Sequence, residues 1–194
     1  MKENNFFAMI SRMKYIDRWG LMRNTINENI AEHSLEVAII AHALASISNI
    51  YFNGTYDADR VAVIAMFHDT TEIITGDMPT PVKYFAPEII EAYKNLENVA
   101  ANQLVSGLPA EMKELYRDIL ILQEEEKALY KFVKAADKIS AYIKCIEEKR
   151  MGNSDFEEAE KATLEAVKSM NMKEVDYFLD NFMAAYSLTI DEQA

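Results

Sequence analysis

The stretch HDTTEIITGDMPTP, His68 to Pro81, decides how the rest of the chain is read. It crowds His68, Asp69, Glu72, Asp77 and Thr80 into one short segment. Directly before it runs VAVIAMF, Val61 to Phe67, apolar without a break. Such a run predicts a helix buried on nearly all sides, delivering His68 and Asp69 into a dry interior. A lone aspartate there would be costly unless paired or bound to metal. Adjacent helical residues point about 100° apart, so His68 and Asp69 would flank a site, with Glu72 one turn on and on their side. Gly76 permits a turn, and Pro79 and Pro81 stiffen the loop that follows. The bland alternative is a hydrogen-bonded core histidine beside a helix-capping aspartate, but buried carboxylates without a role are scarce.

Working outward, the periodicity is helical everywhere that it is long, and no alternating run reads as a strand. A first helix is expected over Phe6–Ile16, then a polar loop, Leu21–Asn29, and a helix over Ile30–Ile50 broken by Asn53-Gly54. Thr55 or Asp57 could cap the central helix, roughly 58–75. Pro87 suits the first turn of a helix reaching Val105, stopped by Gly107, and Pro109 starts another to about Leu122. Glu124–Arg150 is long and amphipathic. Ser154-Asp155-Phe156-Glu157 matches a capping box, and Lys173–Tyr186 closes the chain. The expectation is an all-α bundle of about eight helices, forming one domain over residues 1–194.

With 194 residues, the chain can bury roughly 70% of its unfolded surface. No uninterrupted apolar run approaches the ~20 residues that span a bilayer, and the opening MKENNFFAMISRMK has no secretory pattern. No membrane association is expected. Cys145 is the only cysteine, which excludes an internal disulfide and suits a cytoplasmic protein. A formal charge of −12 argues against a nucleic-acid polymer as partner. The N-terminal segment differs, with Lys2, Arg12, Lys14, Arg18 and Arg23 against only Glu3 and Asp17. A small anion could be received there.

Beyond the central stretch, His33 lies on the apolar stripe of its helix, and Asp137, in FVKAADKISAY, faces the interior side of another. His42 falls on a different face and reads as structural or exposed. Singly, each has a core explanation. Together His33, His68, Asp69 and Asp137 offer two nitrogens and two carboxylates from three helices, as metal sites in bundle interiors do. A thiolate-free set of this kind suits one Mn²⁺, Co²⁺, Fe²⁺ or Mg²⁺ better than a structural zinc.

A lone His, then His-Asp, then a distant Asp on successive helices resembles the HD-domain metal phosphohydrolases. His33 in NENIAEHSLEVA, the block FHDTTEIITGDMPTPVKYF, the KAAD around Asp137 and FFAMISRMKYIDRWGLMRN look more closely like the bacterial HD-domain 5′-deoxynucleotidase, over nearly the whole chain. The resemblance implies hydrolysis of deoxyribonucleoside 5′-monophosphates to deoxynucleoside and phosphate by a homodimer using one divalent metal, cobalt and manganese being the first ions to consider. It places His33, His68, Asp69 and Asp137 on the metal, with Asp69 and Asp137 also against substrate. Arg18 would orient the phosphate, Trp19 contact sugar and base, and Glu72 act on the attacking water. Asp77 and Thr80 would line the substrate site, Asp77 beside Glu72 and Arg18 in the catalytic set.

The residues support phosphomonoester chemistry in their own right. A forked arginine matches phosphate geometry, and no P-loop or Ser/Cys nucleophile motif is present, so direct attack by water is the simpler course. Two rivals remain open at this point: an HD hydrolase of nucleoside triphosphates or a signalling nucleotide, and a non-catalytic, metal-stabilised helical module. The first would need more cationic side chains near the site. The second would leave Arg18, Glu72 and Asp77 together by accident.

Overall fold

The structure, a computed structural model, describes residues 4–121, 123 and 126–194. Among these there are eleven α-helices and three 3₁₀ segments, with no strand beyond an isolated bridge between Asp17 and Asn29. Helix α1 spans Phe6–Ile10, α2 Ile30–Tyr51, α3 Ala58–Met66, α4 Glu72–Thr75 and α5 Thr80–Lys83. They are followed by α6 Pro87–Ser106, α7 Ala110–Leu120, α8 Lys127–Arg150, α9 Glu157–Lys168, α10 Lys173–Phe182 and α11 Ile190–Gln193. The excess over about eight comes from short pieces.

Helix α2 is the central post, packing on α3, α8 and α10, while α8 carries α9 on its other side. Asn29 starts α2, its side chain accepting from the amides of Ala31 and Glu32 at 3.0 and 3.1 Å. Val37, Leu44, Val61, Phe132, Ile139 and Ile143 are wholly or nearly wholly buried in the core these helices share. A second, smaller cluster centres on Phe6, Leu104 and Leu108, with Phe67, Ile74 and Tyr116 packed on it. By itself α2 is long and apolar enough to cross a bilayer, although no long apolar run in it is unbroken, and more than half of its most apolar stretch is buried in the bundle.

The expected helix over 58–75 breaks after Met66. Asp57 caps its start, accepting from the Arg60 amide. At the other end, side chains compete for the carbonyls that would continue the helix. The Thr70 hydroxyl donates to the Phe67 carbonyl at 2.8 Å, and His68 Nδ1 lies 2.7 Å from the Ala65 carbonyl. The backbone tightens into three-residue turns until α4. The apolar run is also less buried than expected, Met66 being 45% exposed. Phe67 and Ile74 leave the main core for the second cluster, so the His68–Asp69 turn lies where the two meet.

Other boundaries shift too. Phe6–Ile16 divides into α1 and a 3₁₀ turn over Ser11–Tyr15. Helix α8 begins at Lys127, while the expected limits Leu122 and Glu124 lie outside the described residues. The Ser154 capping box is not formed; Asn153 caps a 3₁₀ turn over Ser154–Phe156 by accepting from Asp155. Lys173–Tyr186 becomes α10 and a 3₁₀ turn, and a capping box at Thr189 and Glu192 opens α11.

Candidate metal centre and active site

Three elements converge on one cleft: the first turns of α2, the turn after α3, and the first half of α8. His33, His68 and Asp69 present ligand-type atoms all within 4.8 Å of one another. Asp69 Oδ2 stands 3.2 Å from His68 Nε2 and 3.5 Å from His33 Nε2. Asp137 Oδ1 approaches His33 Nε2 to 3.2 Å from α8, its side chain 43% exposed toward the cleft. His42 lies elsewhere, paired with the exposed Asp59.

The tautomers of both rings follow from what holds them. His68 Nδ1 donates to the Ala65 carbonyl. Ser140 Oγ donates to Glu36 Oε2 at 2.5 Å and so accepts from His33 Nδ1 at 3.1 Å. Each Nε2 is left facing Asp69, buried and without a hydrogen-bond partner. Orphaned ring nitrogens aimed at a shared carboxylate are what a divalent ion would satisfy, so the donor set fits a metal. Burial and Arg18 oppose a charge on His33, but the nearby carboxylates of Asp137 and Glu28 prevail and push it up to about 9. Proton and metal therefore compete for that ring.

Arg18 reaches the same cleft from the segment between Tyr15 and α2. That segment closes on itself: the Arg18 amide donates to the Glu28 carbonyl at 2.9 Å and the Ile30 amide to that of Ile16 at 3.0 Å. Arg18 Nε then bonds Glu28 Oε2 at 3.2 Å, and its Nη1 meets Asp69 Oδ2 at 3.5 Å. Its side chain is 12% exposed. Arg12, Lys14 and Arg23 of the same basic segment stay on the surface. Trp19 sits in the left-handed region at φ +59°, a strained conformation for a large residue. Its Nε1 donates to Glu28 Oε2 at 2.9 Å, and its ring packs 5.4 Å from that of Phe156.

The carboxylates divide. Burial opposes the charge on Asp69, but His68, His33 and Arg18 hold it below the usual range, and His33 does the same for Asp137. Glu72 goes the other way. Burial, then repulsion from Asp69 and Asp77, pushes it up to about 9, and its Oε2 is buried without a partner. Asp77 is raised by burial and Asp69 against the pull of Arg18. Thr80 opens α5 and is exposed, with no bond into the cleft among those described.

Glu28, Glu36 and Ser140 belong to the site and were not singled out by sequence reasoning. A signal existed for two of them: Glu36 lies one turn past His33 and Ser140 one turn past Asp137, on the faces that carry the ligands. Glu28 had only its place just before the cap of α2.

An all-helical bundle holding a His/His-Asp/Asp cluster defines an HD-type metal phosphohydrolase. The chain belongs to the 5′-deoxynucleotidase YfbR-like family, whose sequence profile matches residues 5–186. It is 47% identical to a 5′-deoxynucleotidase of Vibrio vulnificus over 192 residues, covering 99% of both chains. It is 46% identical to 5′-deoxynucleotidase YfbR of Escherichia coli over 198 residues, covering 99% of this chain and 96% of that one. In fold it is similar to an HD-domain phosphohydrolase from Listeria innocua (TM-score 0.80, 24% identity, 94% of this chain and 88% of that one). It is also similar to the cyanophage S-2L HD phosphohydrolase DatZ, solved with dA and one catalytic Zn²⁺ (TM-score 0.66, 20% identity, 97% and 99%).

Proposed function

We propose that the chain hydrolyses 2′-deoxyribonucleoside 5′-monophosphates to deoxynucleoside and inorganic phosphate, with one divalent metal held by His33, His68, Asp69 and Asp137. The observation that carries this is the pair of orphaned histidine nitrogens facing Asp69, with the Arg18 guanidinium on the same carboxylate. Family membership selects the monophosphate. When bound, the metal neutralises phosphoryl oxygens and makes an adjacent water more acidic.

The chain's own residues supply the rest. Arg18, braced by Glu28, offers forked donors to the phosphate. Glu72 takes a proton from the attacking water as its oxygen bonds to phosphorus; a cation held at Asp69 would offset the repulsion that raises Glu72. The proton that Glu72 takes returns to O5′ as the P–O5′ bond breaks, with Asp77, whose charge burial and Asp69 oppose, as the second carboxylate beside it. Trp19 and Thr80 border the sugar, with Trp19 fixed in orientation by Glu28 and Phe156.

Cobalt and manganese fit the nitrogen–oxygen donor set, and the ion in DatZ adds zinc to those worth testing. A homodimer is proposed on family grounds, the exposed Leu35, Ile39 and Ile50 on α2 being apolar surface available to it. The single, buried Cys145 suits a cytoplasmic location. The test is phosphate release from ribo- and deoxyribonucleoside monophosphates with each metal. Phosphate from dAMP is expected, faster than from AMP by up to ~10²-fold, since an apolar wall rejects an added hydroxyl only weakly. Pyrophosphate or triphosphate from longer nucleotides, with dAMP untouched, would replace this reading.

A further inference from the structure

About three turns along α8 from Asp137 lies a second buried cluster of charge that the proposed chemistry does not use. Glu148, 1% exposed, accepts from the Thr25 amide at 2.9 Å and the Ile26 amide at 3.1 Å. Lys144, 5% exposed, donates to Glu148 and to the Ile26 carbonyl. Asn153, just past the end of α8, bridges Glu148 and the Arg23 carbonyl, both at 2.7 Å. Three side chains of one helix end thus hold successive backbone groups of residues 23–26. Three positions beyond Asn153, Phe156 packs on the Trp19 ring and sits under Lys144.

Stability alone is a poor reason for this arrangement. A buried ion pair is often no better than apolar residues of the same size. What charges can do here, and methyl groups cannot, is capture the amides and carbonyl of a segment with no helix or strand of its own. That segment begins at Arg18 and Trp19, and Trp19 occupies a strained backbone conformation that its surroundings must maintain.

We propose that Lys144, Glu148 and Asn153 form a clamp that positions Arg18 and Trp19, setting phosphate affinity and the deoxy preference from outside the cleft. These are positioning residues; none touches the ligand set. The inference rests on the reading of Arg18 and Trp19 as substrate contacts.

Glu148→Gln keeps the shape but turns an amide toward donors, and Asn153→Ala is a milder second variant on the half-buried rim. For both, kcat and KM with dAMP and AMP, metal content, and hydrogen exchange at the Arg18 and Met22 amides are measured. Those amides bond within the segment, not to Glu148. Their exchange is expected to quicken about tenfold or more relative to amides in the middle of α8. KM for dAMP should rise by about 10- to 100-fold with kcat changed little, and the dAMP:AMP ratio should shrink, with metal retained. Asn153→Ala should move the same readouts less. Exchange that rises evenly through α8, or unchanged KM in both variants, would overturn the clamp. Arg18→Ala separates the two levels: normal dAMP turnover there overturns the substrate role and the clamp together. An impaired Arg18→Ala beside a kinetically normal Glu148→Gln overturns the clamp alone.

Discussion

Two buried clusters of charge border α8 and both grip the segment before α2, but they are finished differently. Around Glu148 both carboxylate oxygens have donors, from Lys144, Asn153 and two backbone amides. Around Asp69, three buried atoms of neighbouring residues have no partner: His33 Nε2, His68 Nε2 and Glu72 Oε2. Evolution tolerates an unpaired buried polar atom, at about 1–3 kcal/mol each, where something else is meant to meet it. The satisfied cluster holds backbone, and the unsatisfied one is the donor set proposed above for a cation. The carboxylates echo the contrast, Glu148 being held down to about 2 while Glu72 is pushed up to about 9.

The hardest blow to that contrast comes from Asp69→Ala, which removes the carboxylate that both orphaned nitrogens face. Bound metal, near one ion per chain in the parent protein, should be lost, and kcat/KM for dAMP should fall more than ~10⁴-fold as several kcal/mol of charge stabilisation disappear. Metal retained at full stoichiometry would mean that the ion sits elsewhere. Glu72→Gln comes next. It keeps the shape and removes the base, so kcat should drop ~10²–10⁴-fold with metal content and dAMP affinity preserved. Near-normal turnover would remove Glu72 from the mechanism and leave Asp77 as the base to test.

The satisfied cluster is tested through stability. Lys144→Met strands Glu148 in the interior and should cost about 3–5 kcal/mol, read by denaturant unfolding, whereas Lys144→Met with Glu148→Leu should recover only the share due to the stranded charge, since the Thr25 and Ile26 amides then lose their acceptor. Acid should act on the same group. Burial opposes its charge, but bonds from Lys144, Asn153 and the Thr25 and Ile26 amides prevail, so the folded value lies below the ordinary 4.5. The unfolded chain then takes up the proton first as pH falls. Stability from Glu148 is complete above about 4.5 and is lost progressively toward pH 2. Glu148→Gln should flatten the Tm profile across that window; an unchanged acid limb would assign it to other carboxylates.

The two clusters were unequally legible in the sequence. The ligand types stood out because His68-Asp69 follows an apolar run, and His33 and Asp137 lie on apolar faces of long helices. The helical class was legible for the same reason, since periodicity reports burial directly. What periodicity cannot report is a helix undone by its own side chains, so the turns from Phe67 to Thr71 were read as continuous helix. Nor does it show partnerships made across the fold. Arg18 stood out by its basic segment and by the resemblance, but nothing local to it signals that Glu28 and Asp69 brace it. Lys144 and Glu148 have the one-turn spacing of any helical pair, and that spacing carries no sign of their backbone partners more than a hundred residues earlier.

The smallest expected effect bears on the point where the contrast is least clean, since His33 is satisfied at one nitrogen and orphaned at the other. Its Nδ1 proton is taken by Ser140 Oγ, whose own proton goes to Glu36. This chain fixes the tautomer that leaves Nε2 open, and the carboxylate at its far end makes the ring a stronger donor. Partners of this kind typically set metal affinity by 10–100-fold. Ser140→Ala should therefore weaken metal binding by about that factor in chelator competition, with Tm of the metal-free protein little changed, because a small buried hydroxyl is lost and Glu36 can still reach solvent. Ser140→Thr, which keeps the hydroxyl, should restore most of the affinity. Glu28 Oε1 lies 3.7 Å from the same Nδ1 and is the group able to substitute. Unchanged affinity in Ser140→Ala would show that Glu28 alone holds the ring. A further loss on adding Glu36→Gln to Ser140→Ala would show that Glu36 acts by charge rather than through the hydroxyl.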